Sequence, residues 1–213
     1  MAAREIDLQS WPRAETYRLF RSYGKPHYAI TSRIDVTRLV TELKPAGASP
    51  YRACLYAIGA GVHAVPELLT RFRSETVVQH DAVELSMTVP RDDGTFAYAY
   101  VPFEPDWPSF DRNSLTLMEA AAAAGGLEPN TGFRDDLAYL SCLPWLDFTA
   151  ASNALPGPDD CIPRISWGRF VDDGSGRHSM AVAVEVHHAL VDGIHLGQFF
   201  AAMQAALDGI PAS

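Results

Sequence analysis

Two adjacent histidines, His187 and His188, close an apolar run from Met180 to Val186, and four residues later come Asp192 and Gly193. Imidazole is the side chain that takes up a proton and returns it near neutral pH. A histidine at a strand end, followed by a turn and not by more core, is well placed to face a substrate. His188 is the sharpest candidate for a general base. Asp192 has two uses. It can cap the following helix, or it can make a buried ion pair that fixes the histidine loop. A buried carboxylate needs a partner, preferably an arginine fork, and Arg13 in Trp11-Pro12-Arg13 is one candidate.

Other chemistries fit less well. A zinc site needs three or four ligands. Adjacent histidines on a strand point to opposite faces, and no Cys-x-x-Cys pair occurs. A serine-hydrolase elbow, Gly-x-Ser-x-Gly, is absent. Cys142 follows Ser141, so alternation points it the other way, and nothing nearby in sequence would lower its pKa. Ser141 and Ser166, each near a strand end, are unremarkable alone. Asp92-Asp93-Gly94 reads as a hairpin turn.

The elements that must position these residues form a mixed pattern. Helical spacing is expected over Gln9–Tyr23, with Ser10 as a cap and Pro12 in the first turn, then over Val36–Leu43, Pro50–Val65, Ser109–Ala124 and Gly193–Leu207. Strands are expected at His27–Asp35, Thr76–Gln79, Val83–Val89, Phe96–Val101, Ala138–Leu143, Ile162–Phe170 and Ser179–Val186. Glu128–Arg134, Asn153–Asp160 and Asp172–Arg177 read as loops and turns. Trp107, Trp145 and Trp167 read as core or pocket wall. Strands and helices do not alternate regularly. That favours an α/β domain with a two-layer mixed sheet and helices packed on one face, spanning residues 1–213 as one unit.

The bulk numbers agree. The chain has 213 residues, 47% hydrophobic and 20% charged, with a net charge of −9. That balance argues against a general nucleic-acid binder. No apolar run is long enough to cross a membrane. Residues Met1–Ser10 lack the apolar core of a secretion signal, and three widely spaced cysteines suit reduced thiols. A cytoplasmic protein without a metal is expected.

Taken together, His188, Asp192, Ser141, Trp145 and Arg13 make the chain resemble the trimeric chloramphenicol acetyltransferases. The likeness runs from Trp11-Pro12-Arg13-Ala14-Glu15 through Thr31–Thr37, Pro66-Glu67-Leu68, Thr95-Phe96 and Ser141–Phe148 to His187–His195. It implies the CoA-dependent acyltransferase fold and O-acetyl transfer from acetyl-CoA, with no metal, in a direct ternary complex. His188 would be the base, Ser141 the oxyanion donor, and Asp192 with Arg13 an ion pair behind the histidine. Phe20, Tyr28 and Phe96 would line the acceptor pocket. Ser166 would match a family threonine that holds a water. Arg169 and Phe170 would match a basic-aromatic pair near the CoA tunnel. The resemblance also implies a homotrimer, each site lying between two subunits.

The departures cluster in the acceptor pocket. Tyr98 stands where the family has a small residue. Ala151 and Asn153 stand where aromatic and aliphatic residues are usual, and Ser49 replaces a lysine that could hold CoA. The chemistry is thus kept while the acceptor surface is rebuilt: the resemblance points to chloramphenicol as the acceptor and antibiotic resistance as the role, and the departures open the choice of acceptor. A different hydroxyl acceptor, or a non-catalytic binder of drug or CoA, are the alternatives. A dihydrolipoyl acyltransferase core would normally follow a lipoyl domain, and none is present in this sequence.

Overall fold

The computed structural model describes residues 2–127, 129–130 and 134–212. Its strands are β1 (Ala3–Ile6), β2 (His27–Asp35), β3 (Thr70–Arg73), β4 (Thr76–His80), β5 (Glu84–Pro90), β6 (Phe96–Pro102), β7 (Leu137–Leu143), β8 (Arg164–Gly168), β9 (Val171–Asp172) and β10 (His178–His187). Its helices are α1 (Ala14–Arg21), α2 (Pro50–His63), α3 (Trp107–Ala123) and α4 (Gly193–Asp208). A π-helical turn covers Leu39–Leu43, and a 3₁₀ turn covers Pro66–Leu69.

The principal sheet has the order β2-β10-β8-β7-β5-β6, with β9 beside β10. The β5–β7 and β7–β8 pairs are parallel and the others antiparallel. The sheet is thus mixed, as the irregular order of elements implies. A separate three-stranded antiparallel sheet, β1-β4-β3, lies outside it.

Alternation decides which face is core. Met180, Val182, Val184 and Val186 of β10 are buried, with Ile165 and Trp167 of β8 and Leu85, Met87 and Val89 of β5 beside them. These side chains pack with Ala53, Leu55, Ile58 and Val62 of α2 and Leu196, Phe199, Met203 and Leu207 of α4. Helix α2 is capped by Ser49, which accepts from the Arg52 amide, and starts at Pro50. Gly61 is required where α2 meets α4, because a Cβ there would sit 2.8 Å from the Phe199 ring.

Several expectations need correction. The first helix begins at Ala14, not Gln9. Ser10 instead bonds the Asp7 carboxylate, and residues 7–13 are turns. Strands β1 and β3 are new. Their short, polar or arginine-bearing runs, AREI and TRFR, carry no alternation signal. The strand expected over Ile162–Phe170 is confined to Arg164–Gly168, because Leu146 carbonyl oxygen packs where a Gly168 Cβ would lie and accepts the Arg169 amide at 2.8 Å. Trp145 is 75% exposed in the single chain, which removes the core half of its reading and leaves the pocket wall. The loop expected at Glu128–Arg134 lies partly outside the described residues.

Candidate active site

Strand β10 runs antiparallel between β2 and β8 and ends at His187, which pairs with His27. The two histidines have opposite fates. His187 is buried, with Nε2 3.0 Å from Pro158 carbonyl oxygen and Nδ1 accepting the Ala189 amide at 3.0 Å. Both nitrogens are therefore committed, and the ring is the neutral Nε2–H tautomer. Burial, with His27 nearby, pushes its pKa down to about 4.

His188 is half-buried and held from several sides. Its ring stacks on Phe20, centroids 3.9 Å apart and planes 7° from parallel, and meets Tyr28 at 4.6 Å. Its amide donates to Pro26 carbonyl oxygen at 3.0 Å. Its own carbonyl accepts from Arg13 Nη2 at 2.7 Å. Nδ1 is buried 3.2 Å from Asp192 Oδ1, without hydrogen-bond alignment. Among the described residues Nε2 makes no hydrogen bond.

Arg13 carries the expected ion pair and more. Its Nη2 donates to Asp192 Oδ1 at 2.6 Å, Nη1 donates to Oδ2, and Nε donates to Ala189 carbonyl oxygen at 2.8 Å. One guanidinium thus ties down residues 188, 189 and 192. It also holds the Asp192 carboxyl below the usual carboxylate range. The pair is not fully buried in the single chain: the Arg13 side chain is 11% exposed and that of Asp192 36%.

The sheet face away from the helices carries a different set. Ser141 on β7 pairs with Ser166 on β8, which pairs with Ala183 on β10. Thr88 on β5 follows the Met87–Leu140 pair and faces Tyr98 on β6. Tyr98, Thr88, Ser141 and Ser166 thus form a row across four strands, with Ser86 one step along β5. None of these five hydroxyls has a hydrogen-bond partner among the described residues. A cavity of about 900 Å³ opens on this face, lined by Ser86, Thr88, Tyr98, Tyr139, Arg164 and the loop 156–162. Arginines at its wall are paired: Arg73 with Asp135, Arg134 with Asp136, and Arg164 with Asp160. The longer segment 153–162 is pinned to β10 by Glu185, which accepts the Asn153 backbone amide at 2.6 Å, and by His187, which meets Pro158 carbonyl oxygen.

The structure joins Phe20, Tyr28, Arg13 and Asp192 to His188. It does not join Ser141 to them. The register puts Ser141 two strands from β10, opposite Ala183, with His187 four residues further along. At ordinary strand spacing and rise that separates them by about 16 Å. Ser166, Tyr98 and Phe96 lie on the Ser141 side, Phe96 packing edge-on against Tyr98 at 5.7 Å. Trp145 and Arg169 are exposed, and Ala151 and Phe170 are half-buried. Cys142 faces the core, and burial pushes its thiol up to about 11, which disfavours the thiolate a nucleophile needs.

Sequence reasoning missed the roles of His187, Glu185 and Ser86. His187 and Glu185 are settled by partners distant in sequence, Pro158 and Asn153, and Ser86 by the strand order that sets it in the cavity wall. It also missed His195, whose Nδ1 accepts the Asp192 amide at 2.9 Å. A signal for that one existed, since His195 is the third residue of α4, where a capping side chain reaches back.

A mixed sheet with helices on one face and a histidine turn at the end of β10, next to the edge strand β2, is the fold of the CoA-dependent acyltransferases. A solved structure of a probable dihydrolipoamide acetyltransferase from Listeria monocytogenes shares this fold at a TM-score of 0.67 and 12% identity, covering 94% of this chain and 93% of that one. A solved chloramphenicol acetyltransferase superposes with a TM-score of 0.87 at 25% identity, over 97% of this chain and 100% of that one. The family model for chloramphenicol acetyltransferase matches residues 1–204. Chloramphenicol acetyltransferase 2 of Escherichia coli is 28% identical over 207 residues, 96% of this chain and 97% of its own. The chloramphenicol acetyltransferase of Staphylococcus aureus is 26% identical over 213 residues, 98% of this chain and 97% of its own. The chain belongs to the chloramphenicol acetyltransferase family and is an acetyltransferase.

Proposed function

We propose that the protein transfers the acetyl group of acetyl-CoA to a hydroxyl of chloramphenicol, by direct attack in a ternary complex and with His188 as base. The observation that carries this reading is the clamp on His188. Stacking, two backbone bonds and the Arg13–Asp192 pair fix the ring, with Nδ1 buried beside Asp192 Oδ1 and Nε2 as the nitrogen left for a substrate. A carboxylate beside Nδ1 favours the Nδ1–H tautomer, so the Nε2 lone pair is the one available to a substrate. Nε2 takes the hydroxyl proton as the oxygen attacks the thioester carbonyl. Ser141 donates to the oxyanion of the tetrahedral intermediate, and a fixed donor of this kind contributes roughly 10²–10³ in rate. Collapse breaks the C–S bond, and His188 returns its proton to the departing CoA sulfur. No covalent enzyme intermediate is needed. Arg169 and Phe170 would meet CoA.

The separation of Ser141 from His188 supports a site shared between two copies, as in a homotrimer. His188 with Phe20 and Tyr28 would come from one subunit. Ser141, Ser166, Phe96, Tyr98, Trp145 and Ala151 would come from its neighbour. The exposure of Trp145, Ile30 and Ile194 in the single chain fits surfaces covered in such an assembly. Residues 1–213 act as one catalytic domain. The cytoplasm, where acetyl-CoA is made, is its compartment, and inactivation of the antibiotic is its role. The second reading is the same chemistry on a different alcohol. It is favoured by Tyr98, which lines the cavity and whose hydroxyl has no partner among the described residues.

The test is thiol release from acetyl-CoA by purified protein, with and without chloramphenicol, beside His188→Ala. Release that depends on chloramphenicol and disappears in the variant is expected. No stimulation by chloramphenicol in a protein that still binds acetyl-CoA would transfer the reading to another alcohol.

A further inference from the structure

Helix α4 opens with a reciprocal capping arrangement in which a histidine occupies the place usual for Glu or Gln. Asp192 is the N-cap, and His195, three residues on, sends Nδ1 back to accept the Asp192 amide at 2.9 Å. An accepting Nδ1 leaves the ring proton on Nε2. That nitrogen lies 3.6 Å from Glu67 Oε1, in the 3₁₀ turn between α2 and β3. The His195 side chain is 16% exposed and that of Glu67 32%. Asp192 is therefore held at both ends. Arg13 grips its carboxylate and His195 its amide. Between those grips Oδ1 is presented to Nδ1 of His188 at 3.2 Å.

The geometry points to His195, backed by Glu67, as a positioning residue for the catalytic histidine. It acts through Asp192 and touches no substrate. This inference rests on His188 being the base. Without the His195 ring, the Asp192 amide has no acceptor at the helix start, and the turn 188–192 is anchored by Arg13 alone. Arg13 is the first residue before α1, so its grip follows that helix. His195 and Glu67 tie the same turn instead to the helical layer behind the sheet. The expected loss is in the geometry of proton abstraction, with binding of either substrate little changed. Misplacement of a reacting group by a fraction of an ångström lowers turnover without removing any binding contact.

The test compares His195→Leu, His195→Gln and Glu67→Ala with the wild-type protein, in steady-state kinetics with acetyl-CoA and chloramphenicol at 25 °C. His195→Leu is expected to lower kcat about tenfold or more, with both KM values within about twofold. His195→Gln restores an acceptor of the usual capping kind and is expected to recover most of that loss. Glu67→Ala, in a surface turn, is expected to cost only a few-fold in kcat, at about 3. Wild-type kcat in a folded His195→Leu protein would overturn the inference, as would a Gln variant no better than Leu. If His195→Leu does not fold, the Gln and Glu67 variants decide: wild-type kcat in Glu67→Ala with an impaired Gln variant would also overturn it. His188→Ala is run alongside. Should it keep its turnover, the base assignment has failed and not the positioning role alone.

Discussion

The histidine turn and the sheet face around Ser141 spend their polar groups in opposite ways. At the turn nearly every donor and acceptor is committed. Arg13 makes four bonds, His187 uses both nitrogens, and His195 holds the Asp192 amide. On the sheet face, the hydroxyls of Ser86, Thr88, Tyr98, Ser141 and Ser166 have no partner among the described residues. Ser86 and Ser166 are buried, Ser141 and Tyr98 half-buried and Thr88 exposed, and a buried hydroxyl without a protein partner is matched by a ligand or a bound water. The contrast separates two tasks. One region is pre-set inside the chain so that a single ring nitrogen is aimed. On the function proposed above, the other is the face that a substrate and a neighbouring copy complete.

Removing the aimed nitrogen should have the largest effect. His188→Ala is expected to lower kcat by about 10²–10⁴-fold, the ordinary range for a positioned base, with acceptor binding by calorimetry retained. Near-normal turnover would erase the distinction between the two regions. On the open face, Ser141→Ala is expected to lower kcat by roughly 10²–10³ and to change KM little, because its bond strengthens in the transition state. A change confined to KM would make Ser141 part of ordinary binding.

The committed region should fail through stability as well as rate. Asp192→Asn leaves the Arg13 guanidinium, buried to 11% exposure, without its counter-charge. With Asp192 a third exposed, the loss should be about 1–3 kcal/mol by urea unfolding, less than for a fully buried pair. His187 sharpens the same comparison through pH. Its folded pKa, about 4, lies below the ordinary value of 6.5, so the unfolded chain binds the proton more readily between those values. Stability is complete above pH 6.5 and falls as the pH drops toward 4, by about 3 kcal/mol at most. His187→Gln should flatten the unfolding free energy across that interval. The smallest effect is expected from Tyr98→Phe, which removes one hydroxyl from the cavity wall. It should change the acceptor KM by no more than about tenfold and leave the KM for acetyl-CoA alone.

Much of this was legible in the sequence, and for uneven reasons. The strand from His27 to Asp35 and helix α2 follow from local periodicity, which needs no tertiary information. The His188 turn and Asp192 were visible as a local motif. The partnership of Arg13 with Asp192 spans 179 residues and came only from resemblance, since spacing alone could never have paired them. Strands β1 and β3 were invisible because arginines and polar residues occupy them. Arg71 is the extreme case. It is wholly buried on β3, where four carbonyl oxygens accept from its guanidinium, and no sequence pattern foretells that. The row of hydroxyls was equally hidden, because it is assembled by strand order.

The central claim is that the aimed histidine of one copy completes the open face of another. Mixing denatured His188→Ala and Ser141→Ala chains in equal amounts, refolding them together and assaying chloramphenicol acetylation tests it most directly. If each site draws His188 from one subunit and Ser141 from its neighbour, about a quarter of the sites in randomly mixed trimers carry both intact residues. Activity should then rise to about that share of wild type, well above either variant alone. A mixture no more active than its components, in trimers shown to have exchanged subunits, would mean that the two residues serve the same site within one chain, or no site at all.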